Sequence, residues 1–291
     1  MIRRILAATV IATVAASTPL FAQGNSQKQK QKKSTPAPPS RNDLAAPPTA
    51  SVGSGGASPI AWVDDATVLD AGGVAVAVSM LRWSGGGLSE VNIPVVDAAL
   101  GLTERVQLSA SVPRVVAGSE PEGAVGGLGT SYFSAKIALL NQRKRSVKLA
   151  VAPTLEVLSP GVVDALAPGE HRVQMGFPVS AELDRGAVRV YGAAGYFTRG
   201  AWFTGAGTSV VLNDRTAVSA GFSHAWRRAP TPDVPLADRD RNELSGSLSY
   251  GVTPSIHIFG SLGRTVATLD ENGAGTTIGG GVSFFFSAPV K

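Results

Sequence analysis

From about residue 68 onward polar and apolar side chains alternate, and no stretch of helix length shows a 3.6-residue repeat. In 216–226, Val218, Ala220, Phe222 and Trp226 share one face, while Ala217, Ser219, Gly221, Ser223 and Ala225 share the other. Segment 105–112 behaves alike, with Val106, Leu108, Ala110 and Val112 against Arg105, Gln107, Ser109 and Ser111, and so do 147–156 and 172–183. A period of two sends alternate side chains to opposite faces of a sheet. The pattern predicts twelve strands, at 74–84, 91–101, 105–116, 128–140, 147–158, 171–183, 187–198, 201–212, 216–228, 242–251, 255–266 and 276–286. Most match the about 9–11 residues with which a strand crosses a bilayer, where soluble strands average about 5–6. The second face is rich in Gly, Ser and Ala with scattered charge, whereas a solvent-facing sheet would carry more Lys, Glu and Thr. The expectation is an all-β fold: a closed antiparallel transmembrane β-barrel of about 12 strands, ten and fourteen being the alternatives.

Connector lengths give the barrel a direction. The connections after even-numbered strands are tight, at 102–104, 141–146, 184–186, 213–215 and 252–254. Those after odd-numbered strands are mostly longer, at 117–127, 159–170, 229–241 and 267–275, with a middling 85–90 and a short 199–200. Short turns on one rim and long loops on the other match periplasmic turns and extracellular loops, and an even count puts both termini in the periplasm. Trp83, Tyr196, Trp202 and Trp226 are expected as interface aromatics near the loop rim, and Tyr250, Phe284 and Phe286 near the turn rim. An amphipathic ring sits well at headgroup level. Pro113, Pro153 and Pro178 fall within strands, where the missing N–H calls for a bulge.

Composition adds what precedes the strands. Residues 1–22 read as a signal peptide: Arg3 and Arg4, the small and apolar stretch from Ile5 to Ala16, and a cleavage point after Ala22. Residues 23–66 form a basic, Pro/Ser/Gly-rich tail, too polar to bury a core and expected to be disordered in the periplasm. The barrel takes 67–291. Of 26 basic and 21 acidic residues, seven basic and one acidic lie in the first 63, leaving 19 against 20 in the body. The basic character therefore belongs to leader and tail, and nucleic acid is not an expected partner. The tail suits an anionic partner such as peptidoglycan. The body calls for a lipid bilayer with lipopolysaccharide, the outer-membrane insertion machinery and a small-molecule solute.

Three stretches carry a resemblance. Asp97-Ala98-Ala99-Leu100-Gly101-Leu102-Thr103-Glu104-Arg105-Val106-Gln107-Leu108 resembles a hairpin of a broad family of bacterial outer-membrane barrels labelled transporters or meta-pathway of phenol degradation proteins. Gly127-Leu128-Gly129-Thr130 with Ala135–Leu140 resembles that family's next strand, and Trp202–Gly207 with Leu212–Arg215 a later hairpin. The last strand alternates Ile278, Gly280, Val282, Phe284 and Phe286, similar to the terminal insertion signal of such barrels, although five residues follow it. The resemblance implies a porin-like transporter in the outer membrane of a Gram-negative cell, moving small, aromatic or hydrophobic compounds.

Parity places Asp97, Arg105, Lys136, Lys148, Glu156, Arg172, Glu182, Arg189 and Glu243 on the inner face as lumen-lining candidates. Both signs are present, so they can select solutes by charge, or pair with one another and close the interior. The alternative to a passive channel is thus a closed structural or adhesive barrel. A hydrolase in the membrane is a third reading, and the weakest. Ser hydrolysis needs a base beside the nucleophile, yet Ser223 and His224 are sequence neighbours and point to opposite faces. His171 and His257 lack a partner motif, and with no Cys and three His no metal or cofactor site is expected. Gly279-Gly280-Gly281 precedes no helix and reads as room in the wall rather than a phosphate loop.

Overall fold

A computed structural model describes residues 63–85, 88–118, 126–140, 146–158, 171–198, 201–227, 240–266 and 275–286. The segments expected to be signal peptide, 1–22, and basic tail, 23–66, lie outside the described residues except for 63–66. Fourteen strand segments follow in order: β1 (Val74–Gly85), β2 (Leu88–Thr103), β3 (Val106–Gly118), β4 (Ser131–Ala138), β5 (Val147–Val151), β6 (Thr154–Val157), β7 (Val173–Gly176), β8 (Val179–Arg185), β9 (Val188–Phe197), β10 (Ala201–Val211), β11 (Thr216–Arg227), β12 (Asp240–Thr253), β13 (Ile256–Thr265) and β14 (Gly275–Phe286). β5 and β6 are one crossing interrupted at Ala152-Pro153, and β7 and β8 are one crossing interrupted at Phe177-Pro178. The result is a closed antiparallel barrel of 12 strands. β1 closes the ring against β14, with Val74 opposite Phe286 and Gly85 opposite Gly275.

The prolines mark where the ladder gives way. Pro153 and Pro178 cannot donate, but their carbonyls accept from Ala135 N–H at 3.0 Å and Ala152 N–H at 2.9 Å. The wall therefore stays bonded while the strands break. Pro113 sits opposite Val95 at a bulge in the β2–β3 register, which also holds Pro94. The middling connection expected at 85–90 is shorter than the sequence suggested. β1 runs to Gly85 and β2 begins at Leu88, because Ser89, Glu90 and Val91 extend the ladder opposite Ser84, Trp83 and Arg82.

The turns of the other rim share one device. Thr103, Asp184, Asn213 and Thr253 each accept, on the side chain, the N–H two residues ahead, at 3.2, 3.0, 2.9 and 3.3 Å. Such local bonds hold a tight reversal, and Gly186 supplies the positive φ of 73° that one of them requires.

Side chains alternate as the period dictates. Val78, Met80, Leu108, Phe133, Leu155, Met175, Val190, Phe222, Leu248, Ile258 and Ile278 are exposed large hydrophobics on the outside. Inside, the buried residues are mixed: alanines, rings, and polar side chains such as Gln107, Lys136, Glu156, Glu182, Arg189, Ser209, Ser249 and Ser283. This inverts a soluble protein, whose polar groups face out.

Candidate functional site

The inner face divides into two walls. On one side, β10 to β14 present Ser209, Ser219, Ser223, Ser245, Ser247, Ser249, Ser261, Thr277 and Ser283. Hydroxyls there pair across strands, as Ser219 with Ser247 at 2.6 Å. On the other side, β4, β5, β8 and β9 carry Lys136, Lys148, Glu182, Asp184 and Arg189. These five sit at the turn end of their strands.

The charged wall is not bare. Residues 63–70, ahead of β1, fold into the barrel as a strap. Gly72 N–H donates to the Gly101 carbonyl at 2.7 Å, and Leu69 N–H to Gln107 Oε1 at 2.8 Å, which fixes the entry at the turn rim. From there the strap crosses the bore. Lys136 Nζ lies 2.7 Å from Asp64 Oδ2 and 3.5 Å from Asp65 Oδ1. Arg189 Nη1 lies 3.5 Å from Asp65 Oδ2 and 3.6 Å from Glu182 Oε1. Lys148 Nζ reaches Glu182 Oε1 at 2.9 Å and Asp184 Oδ2 at 3.6 Å. Thr67 Oγ1 donates to Glu182 Oε2 at 2.7 Å and accepts from Lys148 Nζ at 2.9 Å. The Asp65 carbonyl accepts from Ser180 Oγ at 3.0 Å and from Lys136 Nζ at 3.1 Å.

Two glycines make the crossing possible. A Cβ on Gly101 would run into the backbone of Asp70 and Leu69, and one on Gly205 would run into the Val63 side chain. Ala66 is fully buried and Val68 nearly so. The tail, expected to be disordered through residue 66, is therefore docked from Val63 onward. Its last residues exchange water for ion pairs and backbone bonds. Burial pushes the Asp64 carboxyl above the ordinary carboxylate range, against the pull of the Lys136 ammonium beside it.

Of the nine inner-face candidates, Lys136, Lys148, Glu182 and Arg189 meet in this cluster. Asp97 and Glu243 face inward elsewhere, opposite Ser111 and Ser223. Glu156 is buried and accepts the Tyr132 hydroxyl at 3.0 Å. Arg172 lies exposed just ahead of β7, with Nε 3.3 Å from the Leu158 carbonyl. Arg105 departs from its expected place. It stands exposed in the turn between β2 and β3, because the ladder resumes only at Val106. Asp64, Asp65, Thr67, Ser180 and Asp184 were not among the expected residues. Their one sequence signal is the Asp64-Asp65 pair at the end of an otherwise basic tail.

The aromatics divide too. On the outside, Trp202 pairs with Tyr196 on one neighbouring strand and with Trp226 on the other, the first two rings 4.7 Å apart. Tyr250 and Phe286 are exposed near the turn rim, and Phe284 lies on the same outward face of β14 as Phe286. Trp83 is a correction: it points inward and is buried, on the β1 face shared with Ala75 and Ala77. Gly275 leaves room for its ring. Phe197 and Phe203, 6.0 Å apart, cluster with Tyr132 inside the loop half of the bore.

His224 faces outward, stacked on Trp226 at 5.0 Å with Nδ1 2.9 Å from Asn242 Oδ1, while Ser223 is buried inside. His257 packs edge-on against Phe285 at 5.3 Å, and His171 is exposed. Among the described residues no group of three or more His, Cys, Asp or Glu side chains is placed to hold a metal ion.

No family model and no curated relative matches the chain. Solved structures do. The NanC porin superposes with a TM-score of 0.54 at 10% identity, over 72% of this chain and 98% of that one. An outer-membrane channel from Pseudomonas putida F1 superposes with a TM-score of 0.54 at 17% identity, over 76% of this chain and 98% of that one. At these identities the likeness is one of fold: this chain has the architecture of outer-membrane channel barrels.

Proposed function

We propose that the protein is a passive channel of the outer membrane, embedded in bilayer and lipopolysaccharide, that lets small solutes cross between its strap and its serine-rich wall. The observation that carries this reading is the inversion of faces: apolar outside, hydroxyl-bearing and charged inside, around a closed ring. An apolar exterior suits hydrocarbon, and a closed ring leaves no unpaired edge in lipid. The strap and its charge cluster then occupy the periplasmic half. The basic tail lies in the periplasm, in reach of peptidoglycan, after removal of the signal peptide and delivery by the insertion machinery. Asp97, Glu156, Arg172 and Glu243 line the path outside the cluster. The resemblance to barrels labelled transporter or meta-pathway of phenol degradation proteins suggests small aromatic or hydrophobic solutes. The inner rings Trp83, Tyr132, Phe197 and Phe203 supply apolar surface for them.

A second reading has an observation of its own: the strap crosses the bore, so the barrel is a closed structural element. Planar bilayers containing the mature chain separate the two. Stepwise current supports the channel. Folded, detergent-resistant protein that passes no current supports the closed barrel.

A further inference from the structure

The cluster on the charged wall is best understood by counting what the wall brings and what the strap brings. The wall supplies three cations, Lys136, Lys148 and Arg189, and two carboxylates, Glu182 and Asp184, which pair mainly with Lys148. Lys136 meets no wall carboxylate among these ion pairs. Its partners are Asp64 and Asp65, both on the strap. Arg189 divides its charge between Glu182 and Asp65. Without the strap, the wall keeps a cationic pair, Lys136 and Arg189, facing the bore.

A pair of cations held in a partly desolvated wall is a binding site for anions. Here two carboxylates already occupy it, on a peptide joined to the barrel at Asp70. We infer that Lys136 and Arg189 form a carboxylate-binding site for small dicarboxylate solutes, and that Asp64 and Asp65 are its tethered, built-in occupant. Two carboxylates are bound, one by Lys136 and one shared by Lys136 and Arg189, so a dicarboxylate reproduces both contacts. Two features make exchange feasible. The strap holds the site through charge rather than through a large fully buried apolar anchor, since Ala66 and Val68 are its buried apolar side chains, with Val63 and Leu69 half-buried. Its rim attachment, Gly72 to Gly101 and Leu69 to Gln107, lies on other strands and survives departure of the acidic end. Solute and strap therefore compete for one site, and the solute that binds is also the one that clears the bore. This deepens the channel reading and rests on it for the solute's route.

The chain has no cysteine, so Ala66→Cys introduces a single thiol at a position that is fully buried while the strap is docked. The full mature chain carrying it, folded in detergent, is treated with a polar maleimide, with and without succinate. Potassium chloride at equal ionic strength serves as control, because salt alone screens the pairs. Succinate should speed labelling several-fold and chloride much less. An equal rate in both overturns the proposal. A second measurement leaves the strap's packing intact. Titration calorimetry of the Asp64→Asn, Asp65→Asn double variant should show succinate binding that is lost when Lys136→Gln and Arg189→Gln are added. Absence of binding to the double variant, or binding unaffected by the two wall substitutions, overturns it. Neither readout requires current. Succinate binding without conductance would defeat the channel and leave the site standing. Conductance without succinate binding would do the reverse.

Discussion

The two walls of the bore solve the same problem differently. Both turn polar groups inward, away from lipid. The wall of β10 to β14 does so with small hydroxyls that pair with neighbours on adjacent strands, as Ser219 does with Ser247. The wall of β4 to β9 does so with full charges, which wall partners alone do not satisfy and which draw in a peptide from outside the ring. Among the described residues the hydroxyl wall takes no ion pair from the strap, even though Thr265 Oγ1 and Ser283 Oγ are buried there without a hydrogen-bond partner. The charged wall needs a counter-ion, so its occupancy can change. Buried charges cost several kcal/mol each unless paired, whereas a hydroxyl pair contributes about 0.5–1.5 kcal/mol. The two halves should therefore differ sharply in their response to substitution.

The largest effect is expected from Lys136→Met, which leaves Asp64 without its 2.7 Å partner. Breaking a buried pair costs about 3–5 kcal/mol. The strap can limit that loss by leaving the bore, so amide exchange at Ala66 and Val68 should accelerate by orders of magnitude while strand amides stay protected. Unchanged protection would mean that charge does not hold the strap. Next comes Gly101→Ala. Its methyl cannot fit against the Asp70 backbone, so the entry at the rim must shift, and single-channel conductance should rise with β1 to β14 still folded. An unaltered conductance would show that the strap is not what narrows the path.

Glu182→Gln should have a smaller effect. It removes the charge shared by Lys148 and Arg189 but keeps an acceptor for Thr67 Oγ1. A stability loss of about 1–3 kcal/mol is expected, read as a lower urea midpoint of the micelle-folded barrel. The smallest change is expected on the opposite wall. Replacing Ser219 and Ser247 together by Ala removes both members of a hydroxyl pair, which can be nearly neutral. The urea midpoint should hardly move. A drop as large as that of Glu182→Gln would erase the contrast between the walls.

How much of this was legible depends on the range of the interaction. Period two along 216–226, 105–112 and the rest gave the twelve crossings, because each residue's face is settled by its neighbours in sequence. The prolines announced their own interruptions by chemistry alone. Lys136, Lys148, Glu182 and Arg189 could be assigned to the inner face by parity, but their convergence depends on register between strands, which a single strand does not reveal. Trp83 shows the cost of reading a ring by its height and not its face. Its height near the loop rim suggested the interface, while the parity it shares with Ala75 and Ala77 turns it inward. The docked strap was least legible of all. Val63 to Ala66 closes a Pro/Gly-rich tail whose composition says nothing of a binding surface more than 70 residues further along the chain.

One consequence follows from where the strap is rooted. It leaves the ring at β1, and Asp65 meets Arg189 on β9, six places round a circle of twelve. Between those ends it touches Gln107 on β3, Lys136 on β4, Lys148 on β5 and Glu182 on β8, so it follows half of the ring as an inner splint. A splint clasped to neighbouring strands along its length stiffens the arc it follows. Releasing it would change how readily the hoop flexes as well as how wide its opening is.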